Sequence, residues 1–129
     1  MKVLVVHRQE AVVANIKAQM SQWSVKSAYS GLDGLLACRI ESFDLILCGL
    51  DLPVVTGIEM VRSIRIFSNN KETPIILLAE GNETDEHVRL ITQMNAHLHT
   101  LEDVQKMNNE TPSFQLLLGT GTITSRALF

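Results

Sequence analysis

Phe43-Asp-Leu-Ile-Leu-Cys-Gly-Leu-Asp-Leu-Pro-Val-Val-Thr-Gly57 decides how this chain folds. Asp44–Cys48 is wholly apolar inside, as in a strand buried on both faces. Thr56 followed three residues later by Glu59 predicts a capping box, and Ile58, Val61 and Ile64 supply the buried face of the helix it opens. A strand running straight into a helix is half of a βαβ unit.

The same alternation extends outward in both directions. Lys2–Val6 is a Val-rich strand, and Val12, Val13, Ile16 and Met20 mark one apolar helix face. Val25–Ala28 predicts a second strand. Ser30 with Asp33 opens a helix continued by Leu32, Leu35, Leu36 and Ile40. After the quoted stretch, Pro74 precedes the buried strand Ile75–Leu78. Asn82 or Thr84 caps a helix carrying Val88, Ile91 and Met94, and Ala96–Thr100 reads as a weaker fifth strand. This order predicts an α/β fold, a doubly wound five-stranded parallel sheet with helices on both faces. Right-handed crossovers bring all strand C-terminal ends to one edge, where ligands sit in such folds. The residues just after the strands are His7 and Arg8, Gly49, Ala79 and Glu80, and Thr100.

The chain is expected to form a single domain over 1–129, with 1–100 regular and 101–129 divergent. Leu101–Met107 opens a fifth helix that Asn108-Asn-Glu-Thr-Pro112 breaks. Thr111 and Pro112 then begin a second short helix, or Phe114–Leu118 runs as an extended edge; the residues leave both open.

Leu4-Val-Val6, Ser30-Gly-Leu-Asp-Gly-Leu and Phe43–Met60 together resemble the receiver domains of response regulators, with the flavodoxin-like (βα)5 fold. The resemblance covers Lys2 to Thr100. In that family the third strand ends in a phosphate-accepting aspartate, four residues before a proline and eight before a glycine. Pro53 and Gly57 keep that spacing, but the acceptor position holds Gly49. The two acidic residues that follow the first strand and help bind Mg²⁺ correspond to His7 and Arg8. Ala79 stands where a threonine or serine contacts the phosphoryl group, and Thr100 where a lysine pairs with it. His97 occupies the switch-aromatic position. The resemblance thus implies a degenerate pocket of His7, Arg8, Gly49, Asp51, Ala79, Glu80 and Thr100, with no phosphoacceptor. Asp51, two residues past Gly49, reads as an exposed loop aspartate, a surrogate acceptor being the alternative. Asp44 belongs to the opposite edge of the sheet. Arg8 and Glu80, both at the vacated edge, are the pair from which an internal ionic lock is expected, against two unrelated surface charges.

Composition sets the remaining bounds. At 129 residues, 46% apolar and 19% charged, the chain can bury a core. A net charge of −3 gives no electrostatic reason for nucleic-acid binding, and scattered Lys17, Lys26, Arg39, Arg62 and Arg65 read as solvated helix faces. No apolar run approaches the ~20 residues of a membrane helix, and the start is too soon polar for a secretory signal, so a cytoplasmic protein is expected. Cys38 and Cys48 read as buried reduced thiols, with a redox switch as the alternative. His87, His97 and His99, with His7, lack the spacing of a zinc site. Trp23 is expected on the core rim. No nucleophile elbow, phosphate loop or paired carboxylates are visible, so neither enzyme nor cofactor is expected.

The function expected is a phosphorylation-independent pseudo-receiver in two-component-like signal transduction, non-enzymatic and working through protein contacts. In the family the fourth helix, fifth strand and fifth helix pair domains. That implies a partner surface at 84–118 and a homodimer through it, whether the chain stands alone or is followed by an output domain. The alternatives are a receiver-like domain sensing a small anion, drawn by His7, Arg8 and a helix N-terminus, a conventional phosphoreceiver, and an enzyme of another class on the same fold.

Overall fold

Residues 1–106 are described by the computed structural model. Ten elements alternate: β1 Lys2–Val6, α1 Glu10–Gln19, β2 Ser24–Ala28, α2 Gly31–Ile40, β3 Leu45–Gly49, α3 Gly57–Phe67, β4 Ile75–Ala79, α4 Asp85–Gln93, β5 His97–Thr100 and α5 Leu101–Gln105. The strands form one parallel sheet in the order β2-β1-β3-β4-β5. The doubly wound α/β fold expected from the alternation is therefore the fold observed. The expectations for residues 107–118, including the rest of the partner surface, lie outside the described residues.

The continuous apolar strands are explained by burial on both faces. Leu4, Val6, Ile46, Cys48, Ile75 and Leu77 face one way and pack on residues of α2, α3 and α4, including Ala37, Met60, Ile64 and Ile91. Val3, Val5, Leu45, Leu47, Ile76 and Leu78 alternate with them and pack on Val13 and Ile16 of α1 and Val104 of α5. Trp23 lies at the margin of this second layer, as expected of a rim residue.

Helix starts follow the sequence signals with two refinements. Ser30 accepts from the Asp33 N–H, and of the two candidate caps for α4 it is Thr84 that acts, with His87 completing the box. At α3 only half the expected box forms. Thr56 Oγ1 accepts from the Glu59 N–H, while the Glu59 carboxylate takes the Thr56 hydroxyl proton instead of a backbone N–H.

One charge reading is corrected. Arg65 is not a solvated helix residue. Its guanidinium donates to five backbone carbonyls, those of Asn70, Lys71 and Thr73 after α3 and of Met94 and Asn95 after α4. Its neighbours on the sequence gave no sign of this, because carbonyls that converge from two loops are brought there by the fold. Lys26 also has a partner, Glu41 at 2.8 Å.

Candidate functional site

The strand ends do converge at one edge, and the register shows how. Val6 pairs with Cys48, Gly49 with Leu78 and Ala79 with Thr100. Gly49 and Ala79 are thus the last residues of their strands, one place further in than the sequence pattern suggests. Between β1 and β4 lies an open cleft of about 320 Å³ lined by His7, Arg8, Gln9, Val12, Leu78, Ala79, Glu80 and Leu101. Four of these were legible as site residues; Gln9, Val12, Leu78 and Leu101 were not, since their place on the cleft wall depends on how α1 and α5 lie over the sheet.

The centre of the edge is occupied by an imidazole. A side-chain carbon added to Gly49 would sit 2.9 Å from His7 Cδ2 and 3.5 Å from Nε2. Glycine at this position is therefore matched by a histidine ring that lies against its Cα. The ring is fixed at its other nitrogen, where Nδ1 accepts the Gln9 N–H at 3.1 Å. That bond places the neutral ring's proton on Nε2. It also supplies a partner at the start of α1, where the N-cap residue Gln9 makes no side-chain cap.

The expected Arg8–Glu80 lock is not formed. The carboxylate found at the Arg8 guanidinium is Asp51, at 3.3 Å, with both side chains more than half exposed. An exposed pair of this kind contributes only ~0–1 kcal/mol, so it orients the loop after β3 more than it stabilises the fold. Glu80 is instead tied through its backbone. The Glu83 carboxylate accepts from the N–H groups of Glu80 and Gly81. Partial burial works against its charge, yet these N–H groups hold the Glu83 carboxyl below the usual range.

Thr100 reaches the edge but turns away from the cleft. Its hydroxyl accepts from the Asp103 N–H at 3.0 Å, and the Asp103 carboxylate accepts from the Thr100 N–H at 3.3 Å, a full capping box on α5. His97 lies three residues back along β5 and pairs with Ile76 on the α1–α5 side of the sheet, about 10 Å from the strand end at ~3.3 Å per residue. Asp44 lies at the far edge and accepts from the Lys2 N–H. Among the described residues no three of His, Cys, Asp and Glu come together as a metal-binding group. Cys38 and Cys48 are buried and unpaired with each other; burial pushes the Cys38 thiol up to about 12 and raises that of Cys48 as well.

Burial, and then the Arg8 charge, lower the His7 pKa; burial, then His99 and Arg65, lower that of His97. Below the ordinary imidazole value of about 6.5 the unfolded chain therefore binds more protons than the folded one. The stability these rings contribute is complete above that value and is lost as the pH falls through the lower folded values. His7→Gln is expected to flatten part of the acid limb of the unfolding free energy below about pH 6.5. An unchanged limb, measured by urea titration at each pH, would mean the ring is not held neutral.

A doubly wound domain with its polar loops gathered at the strand ends of β1, β3 and β4 is an architecture that signalling receivers share with proteins of other function. Residues 3–109 match the family profile of the response regulator receiver domain, and the chain belongs to that family. It is similar to the cell cycle transcriptional regulator CtrA of Caulobacter vibrioides, at 31% identity over 91 residues, 69% of this chain and 38% of that protein. It is also similar to the response regulator ArlR of Staphylococcus saprophyticus, at 32% identity over 89 residues, 67% of this chain and 39% of that protein. The chain thus spans 38–39% of the length of these curated relatives. Among solved structures, the chemotaxis protein CheY4 of Vibrio cholerae superposes with a TM-score of 0.73 at 26% identity, covering 90% of this chain and 97% of that one. No helix among the described residues is long and apolar enough to cross a membrane.

Proposed function

We propose that this receiver domain transmits signals without being phosphorylated: a single non-enzymatic domain of the cytoplasm that works through protein contacts. The observation that carries the reading is the Gly49–His7 contact. The position from which an acceptor carboxylate would rise has no side chain, and the adjacent space holds an imidazole ring. Phosphoryl transfer depends on positioning and on neutralising charge, in receivers with a metal's help. Mg²⁺ is a hard cation that takes carboxylate and water oxygens. His7 and Arg8 at the end of β1 do not fit it, and no step is derived through it. Asp51 is engaged with Arg8, Ala79 has no hydroxyl, and the Thr100 hydroxyl is committed to its cap.

Partner contact is assigned to the region 84–118, of which α4, β5 and α5 supply the described part. Ile91 is the one fully buried residue of α4, and Val88 is exposed. A helix anchored by so little core is free to serve a partner.

The test is incubation with acetyl phosphate and Mg²⁺, followed by intact mass. No stoichiometric gain of about 80 Da is expected, the mass of one phosphoryl group. An acid-labile adduct, for instance on Asp51, would restore the conventional phosphoreceiver. The open cleft beside His7, Arg8 and the start of α1 favours one second reading, a small-anion sensor. Saturable thermal stabilisation by an anion that Arg8→Ala abolishes would select it.

A further inference from the structure

The cleft at the strand ends carries opposite charges at its two sides. His7, Arg8 and Val12 line it from the end of β1 and the start of α1, Leu78 and Glu80 from the end of β4, and Leu101 from the start of α5. Only β3 separates β1 from β4, so their ends stand two strand spacings apart, ~10 Å. β3 ends there in Gly49, which adds no side chain of its own to the gap. The polar groups on both sides keep bonding capacity in reserve. Arg8 meets Asp51 through Nη2, at 3.3 Å, and among the described residues its Nε and Nη1 have no carboxylate partner. The His7 ring accepts the Gln9 N–H at Nδ1, and its Nε2–H has no partner among the described residues. Glu80 is bonded through its backbone N–H to Glu83, and among the described residues no cation pairs with its own carboxylate.

A few polar groups set against apolar lining make up a small-molecule site, and the strand-end edge of a doubly wound sheet is where such sites fall. At about 320 Å³ the cleft lies at the small end of the ~300–1,000 Å³ that ligand sites occupy, so its ligand is small. The charges select the class. A bare anion would enter beside Glu80 and the Glu83 carboxylate that holds the Glu80 N–H. A bare amine would enter beside the Arg8 guanidinium. A ligand carrying both charges meets an opposite charge at each side. We propose that the cleft binds a zwitterionic amino acid with an apolar side chain. Its carboxylate takes the Arg8 guanidinium and the His7 Nε2–H, its ammonium takes the Glu80 carboxylate, and its side chain lies on Val12, Leu78 and Leu101. Arginine's planar fork of donors suits a carboxylate, and a bond between charged partners is about twice as strong as a neutral one. This goes beyond the protein-contact reading and does not depend on it.

Chemical-shift titration of the full 129-residue chain tests it with three probes. These are L-leucine, 4-methylpentanoate, which lacks leucine's ammonium, and 3-methylbutylamine, which lacks its carboxylate. L-Leucine is expected to saturate one site with a Kd of ~0.1–1 mM at low salt, and each half-ligand to bind at least about tenfold more weakly. Glu80→Gln is expected to weaken leucine about tenfold and erase its advantage over 4-methylpentanoate. Arg8→Gln is expected to do the same to its advantage over 3-methylbutylamine. Both positions are exposed, and unchanged circular dichroism and melting temperature confirm intact variants. No saturable shift with leucine up to about 10 mM, well above the expected Kd, overturns the proposal. So does 4-methylpentanoate binding as tightly as leucine and indifferent to Glu80→Gln, a result that selects the small-anion sensor instead. Neither result touches the phosphorylation-independent reading, which the mass measurement with acetyl phosphate decides.

Discussion

Asn70→Ala is expected to remove about 3–5 kcal/mol of unfolding free energy, a large part of the ~5–15 kcal/mol that holds a domain of this size. Asn70 is fully buried. Its amide nitrogen donates to the carbonyls of Cys38 and Glu41 at 2.9 and 3.0 Å, and its oxygen accepts from the Phe43 N–H at 2.7 Å and the Thr73 hydroxyl at 3.1 Å. Its own N–H goes to Ser68 Oγ, which donates in turn to the Ile64 carbonyl. One side chain therefore joins the end of α2, the approach to β3 and the connection from α3 to β4. Alanine leaves four polar groups without it, each costing up to ~1–3 kcal/mol where water cannot reach. Asn70→Asp keeps the size but loses both donated bonds and buries a charge, so it is expected to be no milder. Urea denaturation followed by Trp23 fluorescence gives the number, and a loss below about 1 kcal/mol would show that the network is not what holds these segments together.

Gly57→Ala is the second large effect, at about 3 kcal/mol, the upper end of overpacking costs. An added carbon would stand 2.3 Å from the Gly49 carbonyl oxygen and 2.9 Å from Leu50 Cα, both backbone atoms. Nothing can rotate aside; the start of α3 must lift from the end of β3, breaking the bond from the Gly57 N–H to the Leu50 carbonyl. Gly49→Ala is the internal comparison. There the obstacle is the His7 ring, which can turn, so a loss of under about 1 kcal/mol is expected, together with a shifted His7 titration. Equal costs at the two glycines would contradict the close approach of α3 to β3. The ranking also bears on the site, because the two glycines meet at the same strand end: one is required by packing, the other leaves room for histidine.

The fold was legible because its signals are local and repeated. Apolar runs of strand length, helix-spaced apolar faces and Ser30, Thr56 and Thr84 ahead of helices all depend on residues within a few positions of one another. The family resemblance likewise rested on spacing within Phe43–Met60. The membership of the edge followed from topology alone, since every strand in a doubly wound sheet ends on the same side; His7, Arg8 and Glu80 follow their strands as the alternation put them, and Gly49 and Ala79 lie one place further in, as the last strand residues.

What the sequence could not decide was which of these side chains would meet. Arg8 shares that edge with two acidic residues, Asp51 and Glu80, and the one its guanidinium meets is Asp51, in the loop after β3. Thr100 was placed at the edge but not turned toward α5, a direction set by the N–H groups of a helix that begins at the next residue. Arg65 and Asn70 carried no local mark at all; their partners lie as far as 30 and 32 residues away and become partners only when the loops converge. Local pattern fixes which residues share a strand, a helix face or an edge, because it is set by bond geometry and burial. Hydrogen bonds and ion pairs between distant residues are fixed by the packing of whole elements, and only the tertiary structure reveals them.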